Sequence, residues 1–288
     1  MLLKSLFISF YLTLLHVALG YSVYQLWNDG FTSLWSGLFI ASIPGVLVFD
    51  TLLLAQPVAR TSPHLTWATL LKLIGFLLVV FNNMIINFPE IKVIELPSLL
   101  LAAGSFFGWL LYDYWFSKYS HRETDLLIPG KPLPELTLSD INNQPFESKN
   151  LQGSPVLYLF YRGNWCPLCM AQIREIANEY QQLMERGLKI VLISPQSQAK
   201  TQKLAKKFNL SFIYAVDKNC RVADRLGILA KQGLPMGMQL LGYDSDTVMP
   251  TVIITDENGV ILFADLTDNY RVRPEPMTFL KILDGKPV

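Results

Sequence analysis

Cysteine is absent from the first 165 residues of this 288-residue chain, and charged side chains are nearly absent from the first 116. The missing cysteines exclude a thiol relay or a disulfide framework in that half. Histidine is scarce too: His16, His64 and His121 all precede residue 122, and the chain holds a single C-x-x-C. A zinc site of the usual spacing, two such pairs or a C-x-x-C with a distant His pair, therefore lacks half its ligands. With a net charge of +1, no large field of one sign points to nucleic acid as a partner. Neither a metal nor an organic cofactor is expected.

Charged residues make up 16% of the chain, against roughly 25% in soluble proteins. Only Lys4, Asp29, Asp50, Arg60, Lys72, Glu90, Lys92, Glu95 and Asp113 fall before residue 117. Crossing the hydrocarbon core takes about 20 mainly apolar residues. Four stretches meet that length: Leu2 to Gly20, Leu34 to Ala55, Thr66 to Ile86 and Leu96 to Phe116. Runs such as 70–81 have no wide polar face, so they suit lipid. Trp27, Trp35, Trp67, Tyr112, Tyr114 and Trp115 lie near the ends, where amphipathic rings settle at headgroups. The organisation read from the chain is a helical membrane region over 1–116, a charged tether over 117–131 and an α/β domain over 132–288.

Lys4, Arg60, Lys118 and Arg122 occupy one set of flanks, and Asp29, Glu90, Lys92 and Glu95 the other. The excess of basic residues on cytoplasmic loops places the amino terminus, the second loop and the α/β domain in the cytoplasm. Ala18-Leu-Gly20 also fits the end of a signal peptide; cleavage there would leave three spans and the same final side. A periplasmic domain is the alternative. Inside the spans, Asp50 and Asn82-Asn83 stand out as polar groups, with helix-to-helix bonding the simplest role for the asparagines. Pro44-Gly45 reads as a kink.

After the breaker cluster Pro129-Gly-Lys-Pro132 the pattern alternates. Val156 to Tyr161 is a short continuous apolar run, as in a strand buried on both faces. Pro167 to Arg186 is helical, with Ile173, Ile176, Tyr180 and Leu183 on one stripe and Gly187 as its stop. Strands follow at 188–193 and 212–216, helices at 199–208 and 221–226. A hairpin joins 251–255 to 260–264 through Asp256-Glu-Asn-Gly259, and a helix over 276–283 closes the domain.

Cys166 and Cys169 form the C-x-x-C between a buried strand and the first turn of a helix. Unpaired amides and the positive end of the helix dipole favour thiolate there. Such settings lower a thiol pKa from about 8.5 to between about 3.5 and 7.5. Cys166 is thus the expected nucleophile, and Cys169, one turn on, the resolving thiol. Pro167 fits a first helical position that needs no amide. Cys220 has basic neighbours and a helix start, but a bystander thiol is the simpler reading.

Phe160-Tyr-Arg-Gly-Asn-Trp-Cys-Pro-Leu-Cys169 resembles the active-site segment of thioredoxin-like proteins. The resemblance is greatest to the peroxiredoxin-like branch of the alkyl hydroperoxide reductase/thiol-specific antioxidant (AhpC/TSA) family. Val216-Asp217, Leu226-Gly-Ile228 and Met249-Pro250-Thr251 add to it. The resemblance implies a thioredoxin fold and a cis peptide at Met249-Pro250 packed against the cysteines, with Pro250 part of a backbone platform for an extended substrate. Arg162 is a candidate to stabilise thiolate or an oxyanion. True peroxiredoxins carry a Thr or Ser hydroxyl three residues before the peroxidatic cysteine; Gly163 stands there, and Leu159 takes the place of the family's proline.

The function expected is membrane-anchored thiol–disulfide exchange at Cys166/Cys169, in a multi-pass protein of a bacterial inner membrane. Two alternatives are a thiol peroxidase using Cys166 and a non-enzymatic redox-sensing module. Expected partners are a disulfide-containing protein, a small thiol or a hydroperoxide as substrate, a thioredoxin- or glutathione-type reductant, and membrane lipid.

Overall fold

The computed structural model describes all residues except 57, 87–95, 120, 121, 123, 287 and 288. Glu90, Lys92, Glu95 and His121 of the sequence reading thus lie outside the described residues. The chain divides into two compact units, one of Leu3–Ala55 and Ser62–Lys118, the other of Met1–Leu2, Gln56–Thr61 and Tyr119–Val288.

The first unit consists of α1 (Leu2–Asp29, its first residue counted with the other unit), α2 (Ser33–Asp50), α3 (Thr66–Phe81) and α4 (Leu96–Leu111). π-helical turns prolong α2, α3 and α4, over Thr51–Ala55, Asn82–Ile86 and Tyr112–Phe116. With those turns included, all four are long and apolar enough to cross a membrane. α1 runs nine residues past the expected end at Gly20. Thr32 caps α2 by accepting the Trp35 amide at 3.3 Å.

Small residues let α2 and α3 approach closely: a Cβ at Gly75 would lie 2.3 Å from the Ala41 amide nitrogen, and one at Gly37 2.9 Å from the Gly75 carbonyl. This is the small-residue packing that membrane helices use when no hydrophobic force separates lipid from protein. Asn82 Nδ2 donates across to Ser33 Oγ at 2.6 Å, whereas Asn83 Nδ2 donates within its own helix to the Val79 carbonyl. Trp35 and Tyr112, expected at the headgroups, are buried in this unit, while Trp27, Trp67, Tyr114 and Trp115 are exposed. Helix-facing registers outweigh proximity to a helix end. Lys72, passed over in the sequence, is fully buried: its Nζ donates to the Ala41 carbonyl at 2.8 Å and lies 5.3 Å from the Trp109 ring.

The second unit is an α/β thioredoxin-fold domain on a seven-stranded sheet. Its elements are β1 (Thr137–Asp140), β2 (Pro145–Glu147), β3 (Val156–Phe160), α5 (Pro167–Asn178), α6 (Tyr180–Glu185), β4 (Lys189–Ser194), α7 (Gln198–Phe208), β5 (Ile213–Val216), α8 (Arg221–Arg225), β6 (Leu229–Ala230), β7 (Thr247–Val248), β8 (Thr251–Thr255), β9 (Ile261–Asp265) and α9 (Pro276–Leu283). The sheet order is β2-β1-β5-β4-β3-β8-β9. β3, β4 and β5 are parallel, and β8 and β9 antiparallel, as crossover helices and then a tight hairpin require. Every residue of β3 is buried, on alternating faces of the sheet. Val156, Tyr158 and Phe160 join the core on one face, and Leu157 and Leu159 the core on the other. Each such side chain contributes about 1.5–3 kcal/mol when fully buried.

Three expectations change. The helix expected over 167–186 breaks at Glu179, whose φ/ψ of −95°/10° is non-helical. The edge hairpin β1–β2 was missed because only Leu138 of β1 is buried, leaving no periodic signal. The end of the segment read as a tether is bonded to the sheet: Gly130 N–H donates to the Ile261 carbonyl and Ile261 N–H to the Lys131 carbonyl, at 2.8 and 2.9 Å. Leu127 is buried in the same core.

Candidate functional site

The chain leaves β3 at Phe160 and enters α5 at Pro167, and the six residues between have few ways to run. Gln196, after β4, fixes them. Its Oε1 accepts the Asn164 amide at 2.9 Å, and its Nε2 donates to Asn164 Oδ1 and Tyr161 Oη at 2.9 and 3.0 Å. Asn164 Nδ2 also donates to the Lys200 carbonyl at 2.8 Å. Gly163 adopts φ +142°, and a Cβ there would stand 2.9 Å from the Trp165 ring. A Thr or Ser at this position would meet both obstacles, so the backbone itself accounts for the missing hydroxyl.

Cys166 is the N-cap of α5 and Pro167 its first residue. The Cys169 amide donates to Cys166 Sγ at 3.3 Å, so an orphan N–H of the first turn is spent on the sulfur. The two cysteines are paired as a disulfide with Cα atoms 5.2 Å apart, inside the usual window of about 4.4–6.8 Å. Both are buried.

A cation completes the site. Arg273, from the segment between β9 and α9, donates from Nη1 to Cys169 Sγ at 3.5 Å and from Nη2 to Cys169 Sγ and Cys166 Sγ at 3.6 and 3.9 Å. Gln172 Oε1 and the Tyr270 carbonyl accept its remaining donors at 3.0 Å. Burial pushes this guanidinium down to about 10, so it remains charged at neutral pH. Among the described residues no carboxylate lies within ion-pair distance of it. A buried cation without a paired anion is costly. The groups it faces are two sulfurs, which acquire negative charge on reduction.

Residues 129–264 match the AhpC/TSA family.

These residues are an AhpC/TSA domain.

The thiol-disulfide oxidoreductase ResA of Bacillus cereus is 25% identical over 165 residues, covering 57% of this chain and 81% of that protein. Peroxiredoxin Bcp of Bacillus subtilis is 23% identical over 120 residues, covering 42% and 76%. Among solved structures, peroxidoxin BcpB of Mycobacterium tuberculosis aligns with a TM-score of 0.45 at 18% identity, over 56% of this chain and 98% of that one. Both relatives are named for redox activity, one as a thiol-disulfide oxidoreductase and the other as a peroxiredoxin.

Within the AhpC/TSA domain the other expected residues lie as follows. Arg162 stacks over the Trp165 ring at 4.5 Å and donates to the Gly233 carbonyl at 2.5 Å; the guanidinium on the sulfurs belongs to Arg273. Pro250 lines a narrow cleft together with Gln172, Arg122 and Arg273. Its carbonyl accepts Arg122 Nη1 at 2.8 Å, and the preceding Met249 amide donates to the Ile228 carbonyl at 2.8 Å. Cys220 is buried, and burial together with Asp217 and other nearby carboxylates pushes its thiol up to about 12. The basic neighbours in its sequence do not set its environment. Asp217 is also buried, and burial raises its carboxyl above the usual range although the Val222 and Ala223 amides bond it. It caps α8 and takes no part in the thiol centre.

Arg273 and Gln196 are the residues that the sequence did not reveal. Arg273 is 107 positions from Cys166 and belongs to no periodic element, so only a sequence signal tying it to the cysteines could have found it.

Proposed function

We propose that the protein is a membrane-anchored thiol–disulfide oxidoreductase that cycles Cys166/Cys169 between dithiol and disulfide. The observation carrying this reading is the pair at the start of α5 with the unpaired Arg273 cation on both sulfurs. In the reduced protein, the Cys166 thiolate attacks one sulfur of a substrate disulfide, forming a mixed disulfide and releasing the first substrate thiol as it takes up a proton. Cys169, losing its proton, then attacks Cys166 Sγ. This forms the Cys166–Cys169 bond and releases the second substrate thiol. Two electrons pass to the substrate, and a thioredoxin- or glutathione-type thiol restores the dithiol. Arg273 offsets the charge on whichever sulfur is thiolate, and its shorter distances to Cys169 favour the resolving step. Pro250 forms part of the wall that an extended substrate would follow.

The four apolar helices supply the membrane anchor. The flanking basic residues support a cytoplasmic domain in a bacterial inner membrane, and the division into a membrane region over 1–116, a tether over 117–131 and a redox domain over 132–288 belongs to the same proposal. A topology reporter fused after residue 288 tests the side.

The test of the chemistry is turnover of a protein disulfide by the full chain in detergent. Cys166→Ser abolishes it if the reading holds, and unchanged turnover rejects the reading. Relatives named peroxiredoxin favour a second reading, hydroperoxide reduction through a Cys166 sulfenic acid. In stopped-flow mixing, oxidation no faster than that of free cysteine would reject it.

A further inference from the structure

Arg273 reaches the sulfurs from a stretch with no regular secondary structure, so its reach depends on what holds that backbone. Arg60 holds it. Residues Gln56–Thr61, which join α2 to α3 in the chain, cluster with the thioredoxin-fold unit. Arg60 Nε donates to the Arg273 carbonyl at 3.0 Å and Nη2 to the Pro274 carbonyl at 3.3 Å. Its Nη1 donates to Glu175 Oε1 at 3.3 Å, and its Nη2 pairs with Glu175 Oε2. Glu275 lies 3.6 Å from Nη1. The next residue continues the attachment, the Thr61 amide donating to the Arg271 carbonyl at 3.0 Å. On the other flank Arg174 Nη1 donates to the Gln56 carbonyl at 3.0 Å.

Glu175 and Arg174 sit on α5, the helix whose first turn carries both cysteines. One side chain thus ties that helix to the backbone of the residue touching the sulfurs. Its fork is suited to this: it engages a carboxylate with two nitrogens and still donates to two carbonyls. No hydrogen bond joins Arg60 to sulfur. The other titratable groups acting on the Arg273 guanidinium are Tyr119, Arg162, Asp265 and Tyr270.

We propose that Arg60 is a positioning residue of the thiol centre, fixing the Arg273 backbone against α5 so that its guanidinium stays on the two sulfurs. The proposal rests on the dithiol reading above. It also means that the redox site draws a required side chain from before residue 117. A sulfur–guanidinium contact is sensitive to displacements of about 1 Å, so loosening the backbone weakens it without removing the charge.

The test is the rate of Cys166 alkylation by iodoacetamide against pH, in the reduced full chain in detergent. The midpoint reports thiolate stabilisation; the plateau at high pH reports access. Arg60→Gln raises the midpoint by about half a unit, roughly a threefold loss of thiolate below it. Glu175→Gln moves it the same way, and Arg273→Gln moves it further. The double variant Arg60→Gln/Arg273→Gln matches Arg273→Gln alone, because Arg60 acts only through Arg273. An unmoved Arg60→Gln midpoint beside a shifted Arg273→Gln overturns the role of Arg60 and leaves the dithiol reading standing. So does a double variant showing the two shifts added. An unmoved Arg273→Gln midpoint overturns the sulfur contact and this role with it. Should Arg60→Gln fail to fold, Arg60→Lys keeps the cation but cannot span the carboxylate and both carbonyls. An intermediate midpoint then supports the proposal, and a wild-type midpoint overturns it.

Discussion

Arg273→Gln should make the Cys166/Cys169 pair less oxidising. The guanidinium lies 3.5 to 3.9 Å from the two sulfurs, and its burial leaves no water between them to screen the charge. Two unit charges about 4 Å apart interact by about 4 kcal/mol at an effective dielectric constant near 20. Gln keeps one neutral donor, and the Cys169 amide still bonds Cys166 Sγ, so only part of this is lost. An opposite charge at such range shifts a pKa by about 1–3 units. We take a loss of about 1–2 units, or about 1.4–2.7 kcal/mol of thiolate stabilisation. For a two-electron couple that is about 30–60 mV. The sign is fixed twice over. Removing the cation destabilises the reduced, thiolate form, and it relieves the oxidised form of a buried charge with no paired anion; both lower the potential. Equilibrating the full chain against glutathione or dithiothreitol buffers and counting alkylated thiols gives the value. A variant whose potential matches that of the wild type would refute the argument, because the contact would then carry no differential energy between the two redox states.

The buried Cys220 supplies a second prediction. With its thiol pushed up to about 12 from an unfolded value near 8.5, it stays protonated in the fold while the unfolded chain ionises. Stability from this group is therefore intact below about pH 8.5 and lost progressively as pH rises towards 12. Cys220→Ala should remove that part of the alkaline loss in thermal melts, and alkylation of the reduced native protein at pH 8 should leave Cys220 unlabelled. Rapid labelling of Cys220 would contradict its burial and its raised thiol. Gly163→Thr, which restores the family's hydroxyl, should lower the melting temperature, at a cost of about 1–3 kcal/mol for the forced backbone alone, and should bring no gain in hydroperoxide rate. A stable variant with peroxide reactivity would show that the φ of +142° and the Trp165 contact do not bar the hydroxyl.

Much of the architecture was legible because it is local. Apolar runs without a polar face can only be buried or lipid-facing, and the strand–C-x-x-C–helix order carries its own chemistry: the N-cap position of Cys166 and the N1 position of Pro167 follow from a few neighbouring residues. The Asp256–Gly259 turn and the hairpin strands either side of it are equally local. What escaped is of two kinds. Elements with little burial, such as β1 and β2, leave no period to read. Contacts across long separations leave no pattern either, so Trp35 and Tyr112 turned inward where their position near helix ends pointed outward.

By itself the sequence determined where the proposed chemistry is centred, since a dithiol at a helix start is set by four consecutive residues. It also determined that a charge-poor half precedes an α/β domain. The electrostatic setting of that dithiol was decided only by tertiary structure. Arg162, adjacent in sequence, turns to the Gly233 carbonyl, while Arg273, 107 positions from Cys166, covers the sulfurs under the hold of Arg60. The physical reason is that charge acts through space over a few ångströms, and which charges come that close is settled by packing and not by order along the chain.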